Sequence, residues 1–417
     1  MMLKSFELLN FRGISRMPLT FTSRTTAFLG VNGVGKSSVL DALAIALSSM
    51  TERIVGQASK ARDISPDDIQ NGQDFSRLIV SVNLDGAPTS WAVARNRKAG
   101  KHTPERSSDF EALNDRTGLL NGRMLYRESN QLPINLPLAV YYDVHRAVLD
   151  VPLRVKEKLK NTPREAYNDA LGHGGTDFRG FFAWFRDRED AENERIRDVV
   201  DHRDRDLMAV RAAIEAFTKF TDLRIRRKPT LRMTVKKEDA ELNVLQLSDG
   251  EKCLLALVGD LARRLSLLNT ERDNPLEGEG IVLIDEIDLH LHPKWQRTVV
   301  ASLERTFPNC QFIITTHSPQ IVGELRPNQI FLLHPQGYGH PQVSYGLDSS
   351  RVLEEIMGAS ERSAEVENAL SELFAALERN ELESARAQLK ILTELAPGIA
   401  EIGGAHALLK RKEVVGR

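Results

Sequence analysis

The sequence predicts an α/β fold that carries an inserted helical segment and a helical C-terminal region. Three observations support this fold class. A glycine-rich loop at 30–37 joins an apolar run to a stretch with helical spacing. Apolar runs at 281–284 and 312–315, typical of buried strands, lead into two acidic residues and into a histidine. Helical spacing marks 178–217 and the residues after 349.

Composition and charge are those of an ordinary folded protein. Of 417 residues, 41% are hydrophobic and 27% are charged, and the net charge is −2. Any contact with nucleic acid would therefore need a local basic patch. Cys253 and Cys310 lie far apart without C-x-x-C spacing, which argues against a disulfide framework or a zinc site. No apolar run is long enough to serve as a signal peptide or to span a bilayer, so we expect a cytoplasmic protein without a membrane partner.

The loop at 30–37 reads GVNGVGKS, the G-x-x-x-x-G-K-[ST] pattern of a phosphate-binding loop between a strand and a helix. Its glycines let backbone N–H groups close around phosphate oxygens, and the helix N-terminus adds its positive end. Lys36 would reach the β- and γ-phosphates, and Ser37 would ligate Mg²⁺. The residues predicted to hold a nucleotide here are Asn32, Gly33, Gly35, Lys36, Ser37 and Ser38.

Strands are predicted on both sides of this loop. Residues 3–8 alternate outward and inward side chains, as a half-buried strand does, and 10–13 turns the chain toward the next strand. The other strands predicted in this half of the chain lie at 19–21, 76–84, 90–95 and 136–142. Between them, 64–72 is rich in turn residues, and 98–116 is polar and predicted to be a loop.

From 144 to 220 the pattern changes to apolar residues at helical spacing with dense charge between them, which predicts a helical insertion. Residues 224–237 then alternate basic with apolar side chains, the period of one or two strands with a positive outer face. That face could contact the phosphates of DNA or RNA, or it could be a solvated strand surface. The sequence leaves both interpretations open.

Two motifs in the C-terminal half place polar residues at the ends of predicted elements. Ser248 stands where an apolar helix begins, and Glu251 three positions later completes a capping box. Local capping alone would explain these two residues, so this motif is weak evidence by itself. Asp285 and Glu286 end one predicted strand, and His317 ends another.

Four features of this sequence resemble, in kind and in order, the motifs of ABC-type ATPases. They are the phosphate loop, the LSDGE helix start, the acidic pair and the histidine. Three segments resemble the RecF/SMC/OLD branch of these ATPases rather than the transporter branch: NFRG at 10–13, DEIDLHLHP at 285–293 and TTHSP at 315–319. More narrowly, LSDGEK at 247–252 and the segment 347–358 resemble bacterial ATPases that include the PtuA-like subunits of Septu and retron defence systems.

The resemblance implies a P-loop NTPase fold with an ABC-type ATPase head, and ATP and Mg²⁺ as cofactors. Asp285 would hold the Mg²⁺ shell, and Glu286 would polarise the attacking water. His317 would contact the γ-phosphate. In this family the signature at the helix start serves the nucleotide of the opposite subunit, so a head-to-head homodimer or larger assembly completes each site.

The signature residues in this sequence would be Ser248, Gly250 and Glu251. Asp249 and Glu251 replace the glycine and glutamine of the common transporter signature. This difference supports the non-transporter branch and leaves the contacts to the γ-phosphate open.

Other polar residues keep more than one interpretation. Arg12 either approaches the nucleotide or is a surface arginine at a strand end. His290 and His292 are interpreted as part of the loop at the dimer interface rather than as metal ligands. The lid-glutamine role has the following candidates, with a plain turn as the alternative: Gln70, Asp67, Asp68 and Gln73.

The patterns and the resemblance together predict four regions. These are two lobes of an ATPase head at 1–143 and 221–347, the insertion at 144–220, and a helical oligomerisation or partner-docking region at 348–417. The predicted function is an ATP-hydrolysing switch subunit of a bacterial anti-phage defence complex, which gates an HNH nuclease or another effector through head dimerisation. The alternative is a RecF/SMC-like DNA-repair clamp without a nuclease partner; a transporter motor and a non-hydrolysing ATP sensor are further rivals.

The chain itself is not expected to cut nucleic acid, because no nuclease-like cluster of carboxylates or activated nucleophile stands outside the ATPase motifs. In the C-terminal region we expect more apolar positions than the helices can hide by themselves, with packing against the head as the alternative. These positions include Leu370, Phe374, Leu377, Leu389 and Leu392.

Overall fold

The computed structural model describes residues 1–56, 61–97, 103–144, 161–172, 176–360 and 362–415. The chain divides into two compact units, 1–347 and 348–417. The strands of the larger unit are β1 (Met2–Phe11), β2 (Ile14–Thr20), β3 (Thr25–Leu29), β4 (Phe75–Leu84), β5 (Ala87–Asn96), β6 (Leu138–Tyr142), β7 (Thr221–Arg226), β8 (Arg232–Lys237), β9 (Ala240–Asn243), β10 (Gly280–Ile284), β11 (Cys310–Thr315), β12 (Ile330–His334) and β13 (Gly337–Gly339). Its α-helices are α1 (Lys36–Val55), α2 (Glu111–Ser129), α3 (Phe178–Asp198), α4 (Arg205–Thr218), α5 (Asp249–Leu268), α6 (Pro293–Thr306) and α7 (Pro319–Val322). The smaller unit contains α8 (Ser349–Arg351), α9 (Ala364–Glu378), α10 (Leu382–Leu395) and α11 (Glu401–Val415).

A six-stranded sheet in the order β13-β12-β3-β11-β10-β6 forms the centre of the larger unit. Its strands run parallel except for β13, which pairs antiparallel with β12. Every residue of β3, β6, β10 and β11 is buried, as expected for parallel strands covered on both faces. The parallel register brings the carboxyl ends of β3, β11 and β10 to one border of the sheet, which we call the carboxyl edge.

Two smaller sheets complete the larger unit. An antiparallel sheet has the order β2-β1-β4-β5, and a three-stranded sheet has the order β7-β8-β9. Burial alternates along β4, because one of its faces covers the core while the other is partly open. α1 packs against β1 and β4 and also against β6 and β11, so it lies between the antiparallel and the central sheet. The strands predicted at 3–8, 76–84, 90–95, 136–142, 281–284 and 312–315 are confirmed as β1, β4, β5, β6, β10 and β11.

The polar loop predicted for 98–116 is wrong at its end, because α2 begins at Glu111. Leu113, Leu120 and Met124 form its buried side at helical spacing, and the polar residues between them concealed this pattern. Residues 98–102 lie outside the described residues.

Within the predicted insertion, α3 and α4 are helices, and both pack against α5. Residues 145–160 and 173–175 of that region lie outside the described residues. The boundaries 144 and 220 remain a prediction.

A buried ionic cluster fastens α5 to its neighbours. Asp260 accepts hydrogen bonds from Arg264 Nε at 2.7 Å, Arg263 Nη2 at 2.9 Å and the Tyr142 hydroxyl at 3.1 Å. Burial alone would raise the pKa of Asp260, but Arg264 and Arg263 outweigh it and lower that pKa. Tyr142 ends β6, and Arg263 also pairs with Asp177 at the start of α3. The cluster therefore ties α5 to the carboxyl end of β6, and removing one partner would leave a buried charge uncompensated.

The smaller unit has a core of its own, formed by α9, α10 and α11 around residues such as Leu373 and Ala405. The expectation of surplus apolar positions is wrong for four of the five named residues. Leu370, Leu377, Leu389 and Leu392 belong to this core, and among the five only Phe374, at 37%, is exposed. A third helix closes over the first two, so the unit hides more apolar surface than two helices could.

Candidate nucleotide-binding site

Three segments from the sequence motifs meet at the carboxyl edge. Phe28 of β3 pairs with Thr315 of β11, and Ile314 of β11 pairs with Ile284 of β10. Three adjacent parallel strands therefore end side by side. The first residue beyond β3 is Gly30, the first beyond β10 is Asp285, and the first beyond β11 is Thr316. Polar groups at this position of an open parallel sheet form its usual ligand crevice.

The phosphate-binding loop has a backbone that requires glycine. Gly30 has φ of 150°, and a Cβ there would come within 2.7 Å of the Leu333 carbonyl oxygen and 2.8 Å of Val34 Cγ1. Gly35, with φ of 109°, is the N-cap of α1. Among the described residues no side-chain hydrogen bond caps α1, so the N–H groups of its first turn can bind a ligand. This arrangement suits an anion such as a nucleotide phosphate.

Lys36 lies at the mouth of this loop with 7% of its surface exposed. Its Nζ donates hydrogen bonds to the carbonyl oxygens of Gly30 at 2.8 Å and Val31 at 3.1 Å. Burial lowers the pKa of Lys36, while Glu286 and then Asp285 oppose that change. The lysine and the acidic pair are thus close enough to interact. Of the other predicted loop residues, Asn32, Gly33 and Ser37 are exposed, and Gly35 and Ser38 are half-buried.

Thr315 organises the acidic pair. Its hydroxyl donates to Asp285 Oδ1 and accepts from the Glu286 N–H at 2.7 Å. The Asp285 N–H donates to the Tyr142 carbonyl at 2.9 Å, so this residue is fastened to both neighbouring strands. Glu286 has φ of 45°, in the left-handed region that non-glycine residues rarely occupy. Strained backbone of this kind is often found at functional sites.

Asp288 connects the acidic loop to the segment that carries His317. Its Oδ1 accepts a hydrogen bond from the Thr316 hydroxyl at 2.6 Å and another from the His317 N–H at 3.2 Å. The His317 side chain is half-buried next to this contact. The structure thus brings Lys36, Asp285, Glu286 and His317 to one edge, as the motif order predicts. Sequence reasoning missed Thr315 and Asp288, although both stand inside the quoted motifs.

The predicted capping box at the signature is confirmed. Ser248 is the N-cap of α5, its hydroxyl donates to Glu251 Oε2 at 2.8 Å, and its N–H donates to the same oxygen at 2.9 Å. Gly250 is required for a close approach, because a Cβ would lie 2.3 Å from the His290 carbonyl oxygen. Lys237 of β8 donates to Glu251 Oε1 at 2.6 Å, a contact that sequence reasoning missed.

Arg12 and the lid candidates lie together beside β2. Arg12 pairs with Asp68 and with Asp41, each at 2.8 Å. Asp68 also caps its own turn with Ser65, so its carboxylate is fully engaged. Gln70 Nε2 donates to Ser15 Oγ at 3.0 Å, and Gln70 Oε1 is buried without a hydrogen-bond partner among the described residues.

Asp67 and Gln73, the other two lid candidates, are exposed. The adjoining Ile14 side chain would lie 3.4 Å from a Cβ on Gly35, which places this group next to the phosphate-binding loop. The lid role therefore stays a prediction for these residues, with a plain turn as the alternative.

Most basic side chains of 224–237 have acidic partners. The pairs are Arg224–Asp222, Arg226–Glu241, Arg227–Asp190, Lys236–Asp239 and Lys237–Glu251. This pairing reduces the positive potential that the sequence pattern suggested. Contact with DNA or RNA stays a prediction.

The two histidines of the acidic loop differ in their contacts. His290 is exposed, whereas His292 Nδ1 accepts from the Lys294 N–H and caps α6. Among the described residues no three His, Cys, Asp or Glu side chains cluster as a metal site would need. In the same part of the chain, no helix is long and apolar enough to cross a bilayer.

Two family models match parts of this chain. Residues 106–323 match a family model described as "AAA domain, putative AbiEii toxin, Type IV TA system", which spans more than half of the chain. Residues 1–61 match a model described as "Protein of unknown function (DUF2813)". The predicted P-loop NTPase fold class is confirmed by the family match and by the strand, loop and helix around Lys36.

Three relatives are similar over most of their length. The Retron Ec83 probable ATPase of Escherichia coli is 31% identical over 422 residues, covering 85% of this chain and 76% of the relative. The Retron Vc95 probable ATPase of Vibrio cholerae is 32% identical over 391 residues, covering 81% and 74%. The Septu protein PtuA of Bacillus thuringiensis is 24% identical over 420 residues, covering 95% of each. The predicted resemblance to retron and Septu ATPases is thereby confirmed.

Proposed function

The chain belongs to the AAA-domain family whose model matches residues 106–323, and its relatives include two retron probable ATPases. We propose that it is an ATP-hydrolysing switch subunit of an anti-phage defence complex. In this proposal two heads close around ATP and separate after hydrolysis. The state of the heads then controls a partner nuclease or another effector.

One observation carries the hydrolytic part of the proposal. The Thr315 hydroxyl fixes both Asp285 and Glu286 at the edge where Lys36 and the N-terminus of α1 are available to phosphates. Asp285 and Ser37 are the residues that would hold Mg²⁺, which neutralises phosphate charge when it is bound. Glu286 would accept a proton from the attacking water. His317 would donate to the γ-phosphate.

The signature supports the dimeric part. A helix N-terminus carries partial positive charge, and α5 begins with Ser248 and with a glycine closely packed against the 286–292 loop. We assign this helix start to the nucleotide of the opposite subunit.

The first test of this proposal uses the Glu286→Gln variant. Glutamine keeps the shape of the side chain and removes the base, so ATP should bind without turnover and the closed dimer should accumulate. Phosphate release and ATP-dependent sedimentation measure the two effects. An ATP turnover equal to that of the parent protein would exclude Glu286 as the base.

Mixing two defective proteins tests the shared site. Ser248→Arg places bulk and charge at the signature, and Lys36→Ala removes the phosphate contact. Each should be inactive alone, while a mixed dimer contains one site with both residues intact and should recover part of the turnover. Absence of recovery, together with unchanged ATP-dependent association in both variants, would contradict the shared-site arrangement.

Effector control is tested by purifying the tagged chain from its native host. We expect an effector protein to co-purify, and its nuclease or other activity to respond to ATP and to Glu286→Gln. Metal-dependent DNA cleavage by the purified, partner-free chain, unaffected by changes at the ATPase site, would contradict the proposed division between switch and effector.

A further inference from the structure

A lysine from a separate sheet reaches the signature through two successive hydrogen bonds. Lys237 Nζ donates to Glu251 Oε1 at 2.6 Å, and Glu251 Oε2 accepts from the Ser248 hydroxyl at 2.8 Å. Lys237 belongs to β8, fourteen residues before Glu251, and its side chain is 45% exposed. The Glu251 side chain is buried, at 7%.

Helix capping does not account for Lys237. The capping box needs only Ser248 and Glu251, and the N-terminus of α5 already favours an acidic residue in its first turn. The additional cation keeps Glu251 ionised. Burial would raise the pKa of Glu251, but the hydrogen bonds from Lys237 and Ser248 outweigh it and lower that pKa. A full negative charge therefore stands one hydrogen bond away from the Ser248 hydroxyl.

That charge matters for the proposed function, on which this inference rests. A γ-phosphate that approaches Ser248 is also anionic, and an uncompensated carboxylate beside the serine would repel it. We propose that Lys237 is a positioning residue of the signature: it neutralises Glu251 and holds its carboxylate so that an anionic phosphate can reach Ser248. The glutamine found at this place in transporter signatures carries no charge and would need no such lysine.

The experiment is performed in the Glu286→Gln background, where the closed dimer accumulates. Adding Lys237→Met removes the cation and keeps most of the apolar stem. The ATP concentration for half-maximal association should rise on the order of tenfold, because like charges then face each other across the interface. High salt should reduce this defect, since screening weakens repulsion between partly exposed charges.

Two further variants separate charge from structure. Glu251→Gln retains acceptors for Ser248 and should restore association to the Lys237→Met protein, whereas a merely structural lysine would not be rescued by it. Lys237→Arg keeps the cation and should associate almost normally. Lys236→Met is the matched control, because Lys236 lies on the same strand with 47% exposure and pairs only loosely with Asp239 at 3.8 Å. It should not change association.

The outcomes distinguish this inference from the proposed function. If the Glu286→Gln protein does not self-associate in the presence of ATP, the dimeric switch fails and the inference fails with it. If it associates and Lys237→Met changes nothing, or if the Lys237→Met defect persists after Glu251→Gln, the inference alone is overturned. Thermal unfolding of every variant shows whether a loss of association reflects a loss of fold.

Discussion

The carboxyl edge of the larger unit gathers polar side chains and backbone N–H groups, whereas helices α9, α10 and α11 of the smaller unit gather leucine and alanine. At the edge, Gly30 is held at φ of 150° and Glu286 at 45°, and Lys36 is buried beside acidic residues. In the smaller unit, Leu373 and Leu392 are fully buried in a purely apolar core. Backbone strain and a buried charge at the carboxyl edge cost stability and form a site for a ligand. The apolar core of the smaller unit instead stabilises the fold. Substitutions in the two regions should therefore separate ligand binding from folding.

The largest effect is expected for Lys36→Ala at the edge. ATP affinity should fall on the order of a thousandfold, about 4 kcal/mol, because the phosphates would lose the buried cation of this loop. Folding stability should fall by about 2 kcal/mol, for the two hydrogen bonds to Gly30 and Val31. Isothermal titration and thermal unfolding measure both quantities. Unchanged affinity would remove the assignment of this loop.

The next effect is expected in the core of the smaller unit. Leu392→Ala should lower the free energy of unfolding of the helices 364–415 by about 3 kcal/mol, because it leaves a cavity at a fully buried position. Hydrogen exchange of α9–α11 measures this loss. ATP affinity measured in parallel should not change; a loss comparable to that of Lys36→Ala would show that the two regions are not separable.

A moderate effect is expected for Thr315→Val. This substitution removes the Thr315 hydroxyl and keeps nearly the same side-chain volume. Asp285 Oδ1 and the Glu286 N–H lose their shared partner, so both acidic residues lose their orientation. ATP turnover should fall ten- to a hundredfold, about 1.4–2.7 kcal/mol of barrier, with nucleotide affinity nearly constant. Thr315→Ser keeps the hydroxyl and should recover most of the turnover. Equal activity of the valine and serine variants would exclude this orienting role.

The same two regions show which features can be predicted from the sequence and which depend on the fold. The phosphate loop and the capping box are local: their function depends on residues within eight positions, so spacing alone identifies them. Thr315 and Lys237 contact residues 29 and 14 positions away. The pairing of β10 with β11 brings Thr315 to Glu286, and the packing of β8 beside the start of α5 brings Lys237 to Glu251, so spacing alone reveals neither contact. Gly250 looks like an ordinary signature glycine until its distance from the His290 carbonyl is known.

In the smaller unit, the helical spacing identified the helices but not what covers them. A pattern of apolar residues shows which face is buried, and it does not show whether the cover is another helix of the same unit or a partner. α2 was missed for a related reason, because its four buried residues are separated by a mostly polar sequence. Periodicity is weak when the buried face is narrow.

The smallest effect on folding is expected for the double change Ile391→Ser and Leu395→Ser on α10. The two residues are one turn apart, at 50% and 39% exposure, so they form one apolar strip outside the core. The free energy of unfolding should change by no more than about 0.5 kcal/mol.

Under the untested prediction that residues 348–417 dock an effector, this exposed strip is a surface that substitution can test without disturbing the leucines of the core. The double variant should then capture less of the protein that co-purifies with the parent chain, while ATP turnover is retained. Leu408→Ser, at 43% exposure on α11, is the matched control and should capture the normal amount. Normal capture by the double variant would remove the strip from the docking surface. Reduced capture by both variants would place the contact across α10 and α11, where apolar side chains remain exposed although the core beneath them is complete.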